Sequence, residues 1–146
     1  MELSVYQLDD DPKRVDRDAV WAFLSQHAYW GRWRTREVIE GQIDNSWRVV
    51  GAYHLDTGRM VGFARAVSDG FALAYLADVY VEPAHRGRGI ATAMVEYMIE
   101  KGPGAQFRWM LHTADAHGLY AKFGFAAPNH TYMERPEAPT RAVSLE

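Results

Sequence analysis

The sequence has no cysteine, which excludes disulfides, thiolate metal sites and a cysteine-borne covalent intermediate. That absence fits a reducing cytoplasm. Basic residues are not in excess: 16 Lys and Arg stand against 19 Asp and Glu, for a net charge of −3. The basic footprint of a nucleic-acid binder is therefore missing. Met1-Glu2-Leu3-Ser4 has neither the basic start nor the apolar core of a secretory signal. The longest apolar run, residues 71–77, is far too short to cross a bilayer, so no membrane partner is expected. There is also no repeat, low-complexity stretch or linker. What is present is an ordinary globular composition, 48% hydrophobic and 24% charged, in 146 residues. That size predicts a single domain over residues 1–146. The unusual surplus is aromatic: five Trp and eight Tyr must fill a core, a pocket or an interface.

Periodicity gives the order of elements. Residues 3–8 read as a first strand, and Asp16 or Asp18 caps a helix carrying Val20, Phe23 and Leu24. Tyr29-Trp30-Gly31-Arg32-Trp33-Arg34 reads as a loop, followed by Thr35 as N-cap of a helix striped by Val38, Ile39, Gln42 and Ile43. The period then changes from helix to strand. Residues 47–53 and 60–66 form a hairpin around Asp56-Thr57-Gly58, and after Ser68-Asp69-Gly70 residues 71–81 form a long apolar strand. From Gly87 a helix carries Ile90, Met94, Tyr97 and Met98 on one stripe, until Gly102-Pro103 stops it. Residues 107–112 read as a buried strand. Thr113 or Asp115 then caps a short helix with Ala116, Leu119, Tyr120 and Phe123, closed by Gly124. Phe125 opens a last strand region that returns through residues 132–134, and residues 137–146 read as a loose tail. This order predicts an α+β fold: a mostly antiparallel central sheet, one helical crossover that creates a parallel pair, and about four flanking helices.

The most informative segment is Arg86-Gly87-Arg88-Gly89-Ile90-Ala91, between the strand that ends near Val81 and the next helix. A helix N-terminus presents unpaired N–H groups and a partial positive charge, a ready anion site. Gly87 and Gly89 permit close backbone approach and positive φ, and Arg86 and Arg88 add charge. The combination suits a diphosphate. No Lys-Ser/Thr follows, so it is not a Walker loop. It also lacks the third glycine and the early βαβ setting of a dinucleotide fingerprint, and it is too short and unrepeated for an RNA-binding Arg-Gly box.

Arg86-x-x-Gly89-x-Ala91, after Ala77-Asp78-Val79-Tyr80-Val81-Glu82-Pro83, resembles the acyl-CoA motif of the GNAT superfamily of N-acetyltransferases. Thr113-Ala114-Asp115-Ala116-His117-Gly118-Leu119-Tyr120-Ala121-Lys122-Phe123-Gly124-Phe125 resembles that family's second signature, which ends in Leu-Tyr-x-x-x-Gly-Phe. The resemblance covers residues 47–126 and implies a GNAT-like fold whose parallel pair opens at an acyl-CoA cleft. It implies acetyl-CoA as acyl donor, with no metal. Backbone groups of Val79 and Val81 would pair with the pantetheine arm. The amides of Arg86, Gly87, Arg88, Gly89, Ile90 and Ala91, with Thr92, would hold the pyrophosphate. Tyr120 would sit near the thioester sulfur. Thr113 stands where the family often has Asn, and a hydroxyl replaces one amide hydrogen bond but not two.

Direct attack by an amine in a ternary complex is the simplest mechanism without cysteine. Tyr120 is the candidate acid for the departing thiolate, although its place on an apolar stripe also fits a core residue. Asp78 interrupts an apolar strand, so it either has a partner or faces a cleft. It is the candidate base, with His112, His117 and Glu82 as weaker ones. By the resemblance, Tyr29, Trp30 and Trp33 would line the acceptor side, with simple packing as the other reading; the charges of Arg32, Arg34 and Arg36 would instead suit an acidic acceptor. The expected function is transfer of an acetyl group to a small-molecule primary amine. A non-catalytic acyl-CoA-binding module and a protein acetyltransferase remain alternatives, and a homodimer stays open.

Overall fold

A computed structural model describes residues 5–27 and 34–138. Two compact units result, Met1–Asp115 and Ala116–Glu146. The first holds a five-stranded sheet in chain order: β1 (Tyr6–Asp9), β2 (Arg48–His54), β3 (Met60–Ser68), β4 (Leu73–Val81) and β5 (Arg108–Met110). Every neighbouring pair is antiparallel except β4 and β5, which run parallel. Its helices are α1 (Arg17–Gln26), α2 (Arg36–Asp44) and α3 (Ile90–Met98); the second unit contributes α4 (His117–Ala121). This is the mixed α+β architecture expected from the order of elements. No helix among the described residues is long and apolar enough to cross a membrane.

Local chemistry explains the helix starts. The Asp16 carboxylate accepts the Ala19 N–H at 3.0 Å, and the Thr35 hydroxyl accepts that of Val38 at 3.2 Å. Such caps contribute about 1 kcal/mol each. Along α2 the buried stripe is Ile39 and Ile43, while Val38 is exposed. These residues join Val20, Phe23 and Leu24 of α1 over Val49, Tyr53, Phe63 and Tyr80 on one face of the sheet. Phe23 stacks on Tyr80 with ring centroids 4.0 Å apart. Full burial of a Leu or Ile is worth about 1.5–3 kcal/mol, so Leu24 and Ile39, both almost wholly enclosed, anchor the two helices. Side chains alternate across a strand, so Gly62 faces the other way from Phe63. A Cβ there would lie 3.1 Å from Met94 Sδ, and the missing side chain lets α3 approach β3 closely.

Several boundaries differ from those expected. The strand expected over residues 71–81 begins at Leu73, because the Asp69 carboxylate captures the N–H groups of Phe71, Ala72 and Leu73. β5 shrinks to three residues and is half-exposed rather than buried, because it lies at the sheet edge. α3 starts at Ile90, since Gly87 and Gly89 both have positive φ. Its most enclosed side chains include Val95, while Tyr97 is only half-buried. The returning strand at residues 132–134 does not form. There Pro128 and Pro136 lack N–H donors, and the Asn129 side chain accepts the Thr131 N–H at 2.9 Å, holding a local turn. Residues 139–146, most of the expected tail, lie outside the described residues.

Candidate active site

The parallel ladder is short. It runs from Leu73↔Arg108 to Tyr75↔Met110 and stops, while β4 continues to Val81. Beyond Tyr75, β4 therefore has strand β3 on one side and, among the described residues, an open edge with no paired strand on the other. The Glu82 N–H donates to Val61 C=O on β3 at 2.8 Å. The carbonyl of the same peptide group, that of Val81, must point the opposite way, into the open edge. There it accepts a hydrogen bond from Arg86 Nε at 3.0 Å. Strand alternation turns the backbone of Val79 toward the same edge.

That edge leads straight to the glycine-rich turn. Gly87 has φ +79° and Gly89 φ +82°, values that cost other residues about 1–2 kcal/mol. Residues 86–89 are exposed. Gly89 is the N-cap of α3 and has no side chain to satisfy the first amides, unlike the caps of α1 and α2. The first bond of the helix runs from Ala93 N–H to Gly89 C=O at 3.0 Å. The amides of Ile90, Ala91 and Thr92 precede it and have no acceptor within the helix. They sit at the positive end of the macrodipole, beside two arginines.

One support under this turn was not anticipated. Arg88 Nη1 donates to the Tyr6 hydroxyl at 3.0 Å, and that hydroxyl lies 2.7 Å from His85 Nδ1. Burial and then the Arg88 charge hold the His85 pKa below its ordinary value. A neutral imidazole whose Nδ1 accepts the Tyr6 proton satisfies both bonds. Tyr6 reads in the sequence only as a strand residue, and no local signal links it to a turn about eighty positions later.

Asp78 proves to have partners. Ala64 of β3 faces two residues of β4, because Phe63 pairs with Tyr80 and Arg65 with Ala77. The extra residue makes a β-bulge, which bends a strand. Asp78 sits in it with φ +55°, the one positive value among described non-glycine residues. Its Oδ1 accepts from Arg34 Nη2 at 2.8 Å; Oδ2 accepts from Arg34 Nη1 at 2.9 Å and Arg65 Nε at 2.7 Å. All three side chains are at least nine-tenths buried. Burial pushes the Asp78 pKa up, but the hydrogen bonds and charges of Arg34 and Arg65 outweigh it and hold the carboxyl below its ordinary range. A base must accept a proton near neutral pH. A carboxylate with both oxygens occupied and a depressed pKa is unsuited to that, so Asp78 is better described as the pin of the bulge.

Other candidates divide in the same way. Arg34 is committed to Asp78 and to Gln42 Oε1, and Arg36 to Asp18 and Glu40, so neither offers a free fork to an acidic acceptor. Glu82 pairs with Arg59 at 2.8 Å. His112 is exposed and its Nδ1 meets the Tyr75 hydroxyl. Thr113 is half-buried beyond β5 in the first unit. In the second unit, Tyr120 is buried in α4 with its ring edge-on to Phe125 at 5.8 Å, and His117 opens that helix exposed. Tyr29, Trp30, Arg32 and Trp33 lie outside the described residues.

A sheet with an opened parallel pair, running into an uncapped and arginine-flanked helix start, defines an α+β domain with an anion-receptive turn beside a strand edge. The chain belongs to the acetyltransferase (GNAT) family, which matches residues 4–125. A Xanthomonas campestris protein, described as a candidate acetyltransferase of that family, has a crystal structure similar over 90% of this chain and 93% of its own, at 36% identity and TM-score 0.83. A Clostridium acetobutylicum acetyltransferase, assigned by prediction and crystallised with acetyl-CoA, shares the fold at TM-score 0.65 and 16% identity over 90% of this chain and 94% of its own. A Gibberella zeae protein named as a candidate acetyltransferase is 31% identical over 72% of this chain. The chain spans 58% of the length of that curated relative.

Proposed function

We propose that this protein is an N-acetyltransferase that moves an acetyl group from acetyl-CoA to the primary amine of a small molecule, by direct attack in a ternary complex. The observation that carries this reading is the open edge of β4 running into the uncapped start of α3. A pantetheine arm would add to that edge as a partial strand against Val79 and Val81, with Arg86 yielding the Val81 carbonyl. The pyrophosphate would sit on the amides of residues 86–92, where the dipole and Arg88 oppose its charge. That a neighbour of the same fold was crystallised with acetyl-CoA supports the choice of donor.

In the proposed step, the amine lone pair attacks the thioester carbonyl, whose developing oxyanion takes a hydrogen bond from the Val79 N–H. The C–S bond breaks, the thiolate takes the Tyr120 phenol proton, and the amine loses one proton to water. With Asp78 engaged by two arginines, the reactive acceptor is the neutral amine drawn from solution. Tyr29, Trp30 and Trp33 would line the acceptor side, and Thr113 would contribute one hydrogen bond to pantetheine.

Calorimetry with CoA tests the donor site, and thiol release from acetyl-CoA over an amine panel tests the chemistry. Saturable CoA binding with amine-dependent thiol release is expected. Binding with no release for any amine would replace the enzyme by an acyl-CoA-binding module, and no binding would refute the donor assignment.

A further inference from the structure

Arg65 is a strange residue for the middle of a sheet. It lies on β3 between Val49 of β2 and Ala77 of β4, on the face that carries Phe63 and the two helices, and it is 8% exposed. Its Nε is committed to Asp78 at 2.7 Å. If Arg65 served only to balance Asp78 it would be surplus, because Arg34 already engages both carboxylate oxygens in a bidentate fork. Among the described residues the cluster therefore holds two guanidinium groups and one carboxylate. Neither arginine meets a second carboxylate among the described residues. An uncompensated buried charge is costly, and arginine cannot lose it by deprotonation.

The remaining donors of Arg65 show where compensation would come from. Its two Nη groups, four N–H bonds in all, donate to no acceptor among the described residues. They are also not among the fully enclosed polar atoms that lack a partner, a group that includes Arg34 Nε and Tyr80 Oη. They therefore keep some contact with solvent, on a side chain that is otherwise enclosed. The fork lies across from Ala77, two positions before Val79 on the strand with the open edge.

We infer that the Nη fork of Arg65 is the docking point for an anionic group, a carboxylate or a phosphate, carried by the amine acceptor. The planar fork matches two oxygens of either group. Asp78 and Arg34 hold the guanidinium plane in place, so little side-chain entropy is lost when the anion arrives. The kinetic part of this inference rests on the acetyltransferase reading; the anion site itself does not.

Two measurements test it. Protein labelled with 15N-arginine is titrated with sodium propionate and, separately, with inorganic phosphate, without acetyl-CoA. A saturable shift of the Arg65 Nε resonance, absent in Arg65→Lys, is expected, and the anion that produces it identifies the group. No saturable shift with either anion would overturn the inference, whatever the enzyme does. In the second measurement, thiol release is compared within amine pairs that differ in the anion: amino acids against their amides, and phosphoethanolamine against ethanolamine. A charge-assisted hydrogen bond is worth enough to predict at least about a tenfold preference in kcat/KM for the anionic member, mostly in KM. That preference, read as the ratio within each pair so that any change in CoA affinity cancels, should collapse in Arg65→Lys. Equal rates in the wild-type protein would overturn the acceptor assignment, even if the variant fails to fold. No thiol release with any amine, beside a positive anion titration, would refute the proposed enzyme and leave the anion site standing.

Discussion

Replacing Asp78 by Asn separates two roles that the sequence alone could not distinguish. Asn keeps the size of the side chain and tolerates the left-handed backbone at φ +55° nearly as well, so the change removes charge with little added strain. What is lost is the acceptor for three charge-assisted hydrogen bonds of 2.7–2.9 Å from two buried guanidinium groups. One amide oxygen cannot receive all three, and the new NH₂ faces donors. Breaking a buried ion pair from one side costs about 3–5 kcal/mol, against a total stability of about 5–15 kcal/mol. For a chain of this size the midpoint of thermal unfolding should fall by about 10–15 °C. Urea denaturation followed by circular dichroism gives the free energy directly. If Asp78 were the catalytic base, Asp78→Asn would instead abolish turnover at near-native stability. A loss of stability below about 1 kcal/mol would refute the ion-pair geometry described here. The pH dependence has a matching sign. The folded pKa is depressed below 3.8, so the contribution is complete above that pH and is lost only as pH falls through the lower folded value.

Gly89→Ala places a Cβ at φ +82° and should cost about 1–2 kcal/mol in urea denaturation, together with a clear loss of CoA affinity by calorimetry; native CoA affinity would contradict the turn's role. Tyr120→Phe should lower turnover by about a hundredfold with CoA affinity nearly intact, and unchanged turnover would remove Tyr120 as the acid. His85 has a lowered pKa, so its share of stability is present above pH 6.5 and lost as pH falls through the folded value. A pyrophosphate beside Arg88 would raise that pKa, so CoA binding near pH 6 should take up a fraction of a proton. That uptake makes the binding enthalpy depend on the buffer, and the dependence should vanish in His85→Asn; a buffer-independent enthalpy in the wild-type protein counts against it.

How legible the molecule was depends on the range of the interaction. Asp16, Thr35 and the Gly87/Gly89 turn act within one or two turns of chain, and each is where local pattern put it. The antiparallel run of β2, β3 and β4 and the single parallel pair followed from periodicity and connection length. The errors arise where a side chain competes with the ladder, as Asp69 does at the start of β4 and Asn129 does where a last strand was expected. The partner of Asp78 was unreadable for another reason. A lone carboxylate in an apolar strand says that something must compensate it, but Arg34 is forty-four residues away and Arg65 thirteen. Arg65 in particular is hidden in Phe63-Ala64-Arg65-Ala66-Val67, where alternation makes it look like one more position of an ordinary strand.

The bulge also explains why the cleft and the charged cluster occur together. A left-handed Asp is strained by about 1–2 kcal/mol, and a buried carboxylate adds its own desolvation, so the bend at Asp78 persists only while the two arginines offset both. The β4 and β5 ladder ends at Tyr75, three residues before that bend. Past it, the backbone of Val79 and Val81 is turned to the open edge that leads to the glycine turn. Arg34 comes from the segment just before α2 and Arg65 from β3, so the cluster ties a helix start and a neighbouring strand to the place where β4 bends. Releasing it should therefore loosen more than local stability. In Asp78→Asn, CoA affinity should fall although no pyrophosphate contact has been touched, because the open edge no longer holds one shape before the ligand arrives. A variant that loses its stability but keeps full CoA affinity would show that the bend is set by the ladder alone, and that the buried arginines serve only the acceptor side.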